Sequence, residues 1–247
     1  MENHSKEMEY RDEAILLSKA LFGEQRCHGV FLTRQQGRWR VSLPKKSSLI
    51  LQPGDIGSLR WYASSTERLA FGHYERISSP FSALLTQPLA LLALKSACTL
   101  CLRTLVDQAP AEPMFLILRQ FLGCFSVFSP VYYLLFEKEA LAALGFGLNL
   151  THCAVTGEAS GLAFVSPRTG CAVSEAGAGT YRDKLLPLPP FLVSFPKETA
   201  QISLRDLQQG FLLTEYFLAR ALQALRPTLS LPLERRLLQE AAFSGLS

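Results

Sequence analysis

The clearest pattern in the chain is a strict alternation over six positions. In Arg38-Trp39-Arg40-Val41-Ser42-Leu43 the apolar Trp39, Val41 and Leu43 fall on one side and Arg38, Arg40 and Ser42 on the other. That is the period of a half-buried strand, so Trp39 is expected in a core. Four more short apolar segments precede or follow it, at Ala14–Leu17, Gly29–Thr33, Leu59–Ala63 and Leu69–Ile77. Turn chemistry separates them: Arg34-Gln35-Gln36-Gly37, with Gly37 where a positive φ is needed, and Gln52-Pro53-Gly54-Asp55. The stretch from Pro44 to Ser48 reads as a loop. Trp61 and Tyr62 are adjacent, so one faces in and the other out. Five short strands in about 70 residues predict a small closed barrel, of which the OB-fold is the common five-stranded form.

Ser78-Ser79-Pro80 marks a change of period. Beyond it the pattern is helical: Gln87–Val106, Pro113–Gly123 and Pro130–Leu144, the last carrying a polar patch at Glu137-Lys138-Glu139. Ser203-Leu204-Arg205-Asp206 has the form of a capping box that opens a helix to about Leu225, which Pro227 ends. Leu233–Phe243 is a final amphipathic helix. The fold class expected is therefore α+β and multidomain, with a barrel at residues 8–79 and a helical domain at 80–247. Residues 1–7 are expected to be a disordered extension, since Met8 opens a second plausible start.

Composition adds little until it is divided by region. Apolar residues make up 48% of the chain and the formal charge is +4. Between residues 26 and 62, however, seven basic residues stand against one acid, whereas residues 81–247 hold thirteen basic and twelve acidic groups. A local positive field of this kind suits a polyanion; a solvated surface without a partner would show the same count. The candidate contacts are Arg34, Arg38, Arg40, Lys45, Lys46 and Arg60. No secretory signal follows Met1, and the best candidate for a span, the uncharged Phe121–Phe136, contains Pro130 and is short of the ~20 residues a span needs. A cytoplasmic, nucleoid-associated protein with reduced thiols and no membrane contact is expected.

The cysteines hold one further pattern. Cys153-Ala-Val-Thr156 and Cys171-Ala-Val-Ser174 keep the frame of two C-x-x-C pairs, the spacing of a zinc ribbon, with hydroxyls at the second position of each. Hydroxyls are poor zinc ligands, so the element, at about residues 151–180, is expected to be degenerate and to hold no metal. Cys27, Cys98, Cys101 and Cys124 read as small core residues, and His28, His73 and His152 as structural or surface groups. Phosphate-loop, dinucleotide, zincin and serine-hydrolase signatures are absent. No catalytic residue and no cofactor is expected, and the protein is not expected to be an enzyme.

Taken together, several ordered segments resemble the bacterial RecO family, in particular its alphaproteobacterial branch. They are Met8–Ile15, Gly23-Glu24, Thr33–Gly37, Leu51–Gly54 and Leu59–Trp61 in the first part. In the second they are Phe136-Glu137, Leu144–Leu150, Cys153–Gly157, Phe164–Gly170, Ala172–Ser174, Leu185–Pro189 and Phe217-Leu218. The resemblance implies an N-terminal OB-fold, a helical second domain and a zinc-ribbon-like element. It also implies binding of single- and double-stranded DNA, annealing of complementary strands, and action with RecR to load RecA onto DNA coated by single-stranded-DNA-binding protein. The acidic C-terminal tail of that protein is an implied partner, and RecF an optional one. Two departures stand out. Many members carry four zinc cysteines, where this chain keeps Cys153 and Cys171; and the segment Ser42–Ser47 lacks the glycines common there, though Lys45 and Lys46 keep its charge. The rival reading is a protein–protein adaptor whose barrel never touches DNA, because OB barrels host many functions.

Overall fold

The computed structural model describes residues 8–63, 69–194 and 202–244; the expectation for residues 1–7 lies outside them. The chain forms two compact units, residues 1–127 and 128–247. The change from strand to helix falls between Ser78 and Phe81, yet the first helices group with the barrel, so the compact units divide later than the period of the sequence does.

Five strands make the first unit's barrel: β1 (Met8–Phe22), β2 (Arg26–Thr33), β3 (Gly37–Pro44), β4 (Ile56–Ala63) and β5 (Ala70–Ser78). They close in the order β1-β2-β3-β5-β4, with β3 and β5 parallel and the other pairs antiparallel. β1 is far longer than its apolar core Ala14–Leu17 announces. Its first half pairs β4, its second half pairs β2, and a register shift between Leu16 and Ser18 marks the bend that permits both.

The alternation in β3 is obeyed. Trp39, Val41 and Leu43 enter a core with Leu16, Phe31 and Trp61. Trp61 is wholly buried and stacks on Tyr10 at 5.3 Å between ring centroids, while Tyr62 is half-buried on the outside. Each such large side chain contributes roughly 1.5–3 kcal/mol on burial, and no surface polar pair approaches that. The opposite side of β3 is less exposed than alternation implies. Arg40 is exposed, but Arg38 is 8% and Ser42 1% exposed. A strand's polar side is solvent only where nothing packs on it.

Pro44–Ser48 is not an open loop. Lys45–Ser48 forms one helical turn, α1, in which Leu49 N–H donates to the Lys45 carbonyl at 3.1 Å. The Lys19 ammonium donates to the carbonyls of Ser48 and Leu49 at 3.3 and 3.0 Å and holds its end. The buried carboxylate of Asp55 organises the turn before β4, accepting from Gln52 N–H at 2.8 Å and from the Ser79 hydroxyl. The unit is completed by α2 (Phe81–Leu84), α3 (Pro88–Thr104) and α4 (Glu112–Leu122). Ala90, Ala93, Leu94, Ala97 and Cys101 bury one side of α3.

The second unit holds α5 (Pro130–Ala143), strands β6 (Leu162–Val165), β7 (Ala172–Ser174) and β8 (Leu186-Pro187), and helices α6 (Glu175–Ala178), α7 (Leu204–Leu225) and α8 (Leu233–Ser244). Its sheet has the order β7-β6-β8. The capping box is present: Ser203 Oγ accepts from Asp206 N–H at 3.1 Å and donates to the Asp206 carboxylate at 2.6 Å. Glu137 departs from expectation. Instead of joining an outward polar patch it is wholly buried, while Lys138 pairs with Glu139 at 3.1 Å. No helix among the described residues is long and apolar enough to cross a membrane.

Candidate nucleic-acid interface

The six basic candidates separate by what already holds them. Lys45 and Lys46 project from α1, and neither ammonium forms an ion pair among the described residues. Arg34 lies at the β2–β3 turn 2.9 Å from Glu112, which by hydrogen bond and charge raises the guanidinium pKa further. Arg40 stands 3.5 Å from Asp107 and Arg60 3.4 Å from Glu9, both with side chains more than half exposed. Exposed pairs of this kind are worth 0–1 kcal/mol, so a phosphate can displace the carboxylate at little cost. Arg38 is different. It is buried, bonds Asp107 at 2.5 Å and donates to the Leu102 carbonyl at the end of α3. Its charge is spent fastening β3 to the helix, which takes it out of the exposed basic set.

The barrel also brings forward residues that the basic count did not single out. Phe22 pairs with Arg26 across β1 and β2, and Ala20 with His28. His28 pairs with Ser42 across β2 and β3, and Ser42 with Phe71 across β3 and β5. Arg26 donates from Nε to Ser42 Oγ at 2.9 Å and from Nη2 to the Ser42 carbonyl at 2.8 Å, which leaves its guanidinium 5.2 Å from the centre of the Phe71 ring. These groups share an outer face with Arg40. The sequence does not announce this face. Nothing there says which of the two apolar faces of Ala70–Tyr74 closes the core, because Phe71 and Tyr74 are equally able to do so.

In the second unit, Cys153 Sγ accepts from the N–H groups of Val155 and Thr156, both at 3.4 Å, and from Ser174 N–H at 3.2 Å and its hydroxyl at 3.3 Å. Burial alone would raise the thiol's pKa, but the Ser174 and Thr156 hydrogen bonds outweigh it and lower it to about 6. The turn that would grip a metal is therefore folded around one sulfur, with hydroxyls as its neighbours. Cys171 Sγ is directed to the Thr169 carbonyl at 3.8 Å. This donor set does not fit a structural zinc, which needs four good ligands. Among the described residues no group of three or more His, Cys, Asp or Glu is placed to hold a metal. Purified protein is expected to carry well under one zinc per chain by elemental analysis. Thr156→Cys with Ser174→Cys is expected to raise that to about one; stoichiometric zinc in the parent chain would refute the reading.

All six cysteines are free. Cys98 and Cys101 are buried in α3 and burial raises both thiols, that of Cys101 to about 12, so neither is reactive. Cys124 is only half-buried, short of the core position expected for it.

The first unit is thus a closed five-stranded barrel of the OB class, with a helical turn between β3 and β4 and exposed cations on its outer surface, in a chain that continues into helices. The chain belongs to the RecO family. Residues 85–230 match the family model described as "Recombination protein O C terminal". The chain is 35% identical over 240 residues to the DNA repair protein RecO of Acidiphilium cryptum, covering 93% of this chain and 96% of that one. It is 37% identical to the protein of the same name from Rhodopseudomonas palustris, over 86% of each chain, and 38% to that from Rhodospirillum centenum, over 89% of each.

Proposed function

We propose that the protein is a DNA-binding mediator of recombinational repair, acting without bond chemistry of its own. The observation that carries this is the pair of uncommitted cations on α1, Lys45 and Lys46, on the same barrel as the exposed and displaceable Arg40. The curated relatives bear the name DNA repair protein, which supports the same reading. Phosphates of one or two strands would be held by Lys45, Lys46, Arg34, Arg40 and Arg60. Neutralising two backbones together lowers the repulsion between strands that must pair, which is the physical content of annealing. Cooperation with RecR, contact with the tail of single-stranded-DNA-binding protein and delivery of RecA belong to the same proposal.

The test is a salt series with the full chain. Lys45→Ala with Lys46→Ala is expected to weaken binding of a short oligonucleotide and to flatten the plot of log affinity against log salt by roughly one to two units. An unchanged slope would remove these lysines from the interface. A parent chain that binds no DNA at low salt, yet still binds its protein partners, would favour the adaptor reading.

A further inference from the structure

We infer that the barrel's outer face carries a stacking platform for unpaired bases, built from Phe22 and Phe71 on either side of Arg26, and that this platform selects single-stranded over duplex DNA. The inference rests on the proposed DNA-binding reading and names the form of nucleic acid that the same site prefers.

Three observations lead to it. First, two large aromatic rings are left in solvent on regular strands: Phe22 is 63% and Phe71 52% exposed. Phe22 lies on the His28 ring, 4.4 Å between centroids and 20° apart in plane, so one face is supported and the other is open. Contiguous exposed apolar surface rimmed by polar groups marks contact sites, whereas single exposed apolar residues do not.

Second, the cation between the rings is fixed and unneutralised. Both Arg26 hydrogen bonds end on Ser42, and no carboxylate pairs with it among the described residues. Its planar guanidinium over Phe71 is itself a surface on which a base can stack.

Third, the surroundings suit a polyanion. The strand segments that form this face, residues 18–22, 26–30, 40–44 and 70–73, contain no Asp or Glu; the acids at its border are Glu24 in the β1–β2 turn and Asp107 against Arg40. Arg26 pairs in register with Pro44, and Lys45 N–H donates to the Gln25 carbonyl at 2.9 Å, so α1, which continues from β3, starts next to the first residue of the Arg26 strand. Phosphate-binding lysines and stacking rings are therefore contiguous. The four strands β1, β2, β3 and β5 carry the platform across about 14 Å, three strand spacings.

The chemistry discriminates between strands. In a duplex the base faces are already stacked on one another, and only phosphates are offered. A single strand offers both phosphates and base faces. Stacking requires no particular base, so no sequence preference arises. It also leaves the hydrogen-bonding edges of the bases unengaged, so a second strand can pair with a strand that is still held.

The experiment compares Phe22→Ala, Phe71→Ala and the double variant with the parent full chain, by anisotropy on a thymine oligonucleotide and on a duplex of equal length. Each single change is expected to weaken single-strand binding roughly five- to a hundred-fold, with duplex affinity and the salt slope unchanged. Phe71→Tyr should retain most of the affinity, which separates stacking from a folding defect. On the parent, an oligonucleotide carrying 2-aminopurine should lose fluorescence on binding as the base stacks. Equal losses on both DNA forms, no loss at all, or no change in aminopurine emission would overturn the platform while leaving phosphate binding intact. Failure of the parent to bind single strands at low salt would overturn the platform and the proposed function together.

Discussion

Replacing Arg235 by alanine is expected to destabilise the second unit by about 3–5 kcal/mol, lowering the midpoint of thermal unfolding by on the order of 10–20 °C. Arg235 is 2% exposed and faces Glu137, which is wholly buried. The guanidinium bonds Glu137 through Nε at 2.7 Å and Nη2 at 3.3 Å, Glu215 through Nη1 at 3.0 Å, and the Phe211 carbonyl through Nη2 at 2.9 Å. Thr214 donates its hydroxyl to Glu137 at 2.6 Å. Burial works against the charge on Arg235, but the field of Glu137 more than offsets it, so the guanidinium pKa is raised. α5, α7 and α8 meet on this one group. Truncating it leaves a buried carboxylate without its counter-charge, and that orphaned charge accounts for most of the loss. The comparison that checks the cause is Glu137→Leu with Arg235→Met, which removes both charges and should recover most of the stability. If the double change is as damaging as Arg235→Ala, the loss comes from packing and not from the unpaired charge.

Gly37→Ala is expected to destabilise the barrel by about 3 kcal/mol or more, read from thermal or urea unfolding. Gly37 sits at φ +72, where an L residue is strained by about 1–2 kcal/mol. The larger part of the effect is contact. A Cβ there would lie 1.8 Å from the Ala109 carbonyl oxygen. That oxygen cannot easily retreat, because the segment is tied to β3 by Gln108 N–H donating to the Arg38 carbonyl at 2.8 Å and by the Arg38–Asp107 pair. Gly23→Ala is the control. Gly23 has φ +63 but nothing within 4 Å of the added carbon, so it should show the backbone term alone. Equal losses in the two variants would place the whole effect in φ and none in the contact.

These two positions show how differently the sequence announces its own constraints. Gly37 was legible as a turn residue, since a hairpin loop between two alternating strands demands a positive φ. The second reason for it, a backbone carbonyl more than 70 positions away, has no local signature. Glu137 is harder still. In Glu137-Lys138-Glu139 it looks like one of three surface charges, and only the arrival of Arg235 from α8 turns it inward. Buried charges are paired through space, so their partners are set by the packing of helices and not by spacing along the chain. Arg38 fails in the same manner: alternation correctly puts it outside the barrel, but α3 and Asp107 then cover it.

The proposed nucleic-acid face divides along the same line. Local chemistry alone determined the five strands, their inward Trp39, Val41 and Leu43, the capped helix at Ser203 and the excess of cations between residues 26 and 62, because period, turn propensity and charge count act over a few neighbouring residues. Tertiary structure decided which cations remain free to meet a phosphate, that Phe22 and Phe71 stay in solvent beside Arg26, and that the turn around Cys153 closes on hydroxyls. Those outcomes depend on strand register and on what lies over each face, quantities fixed only when distant segments are brought to within a few ångströms of one another.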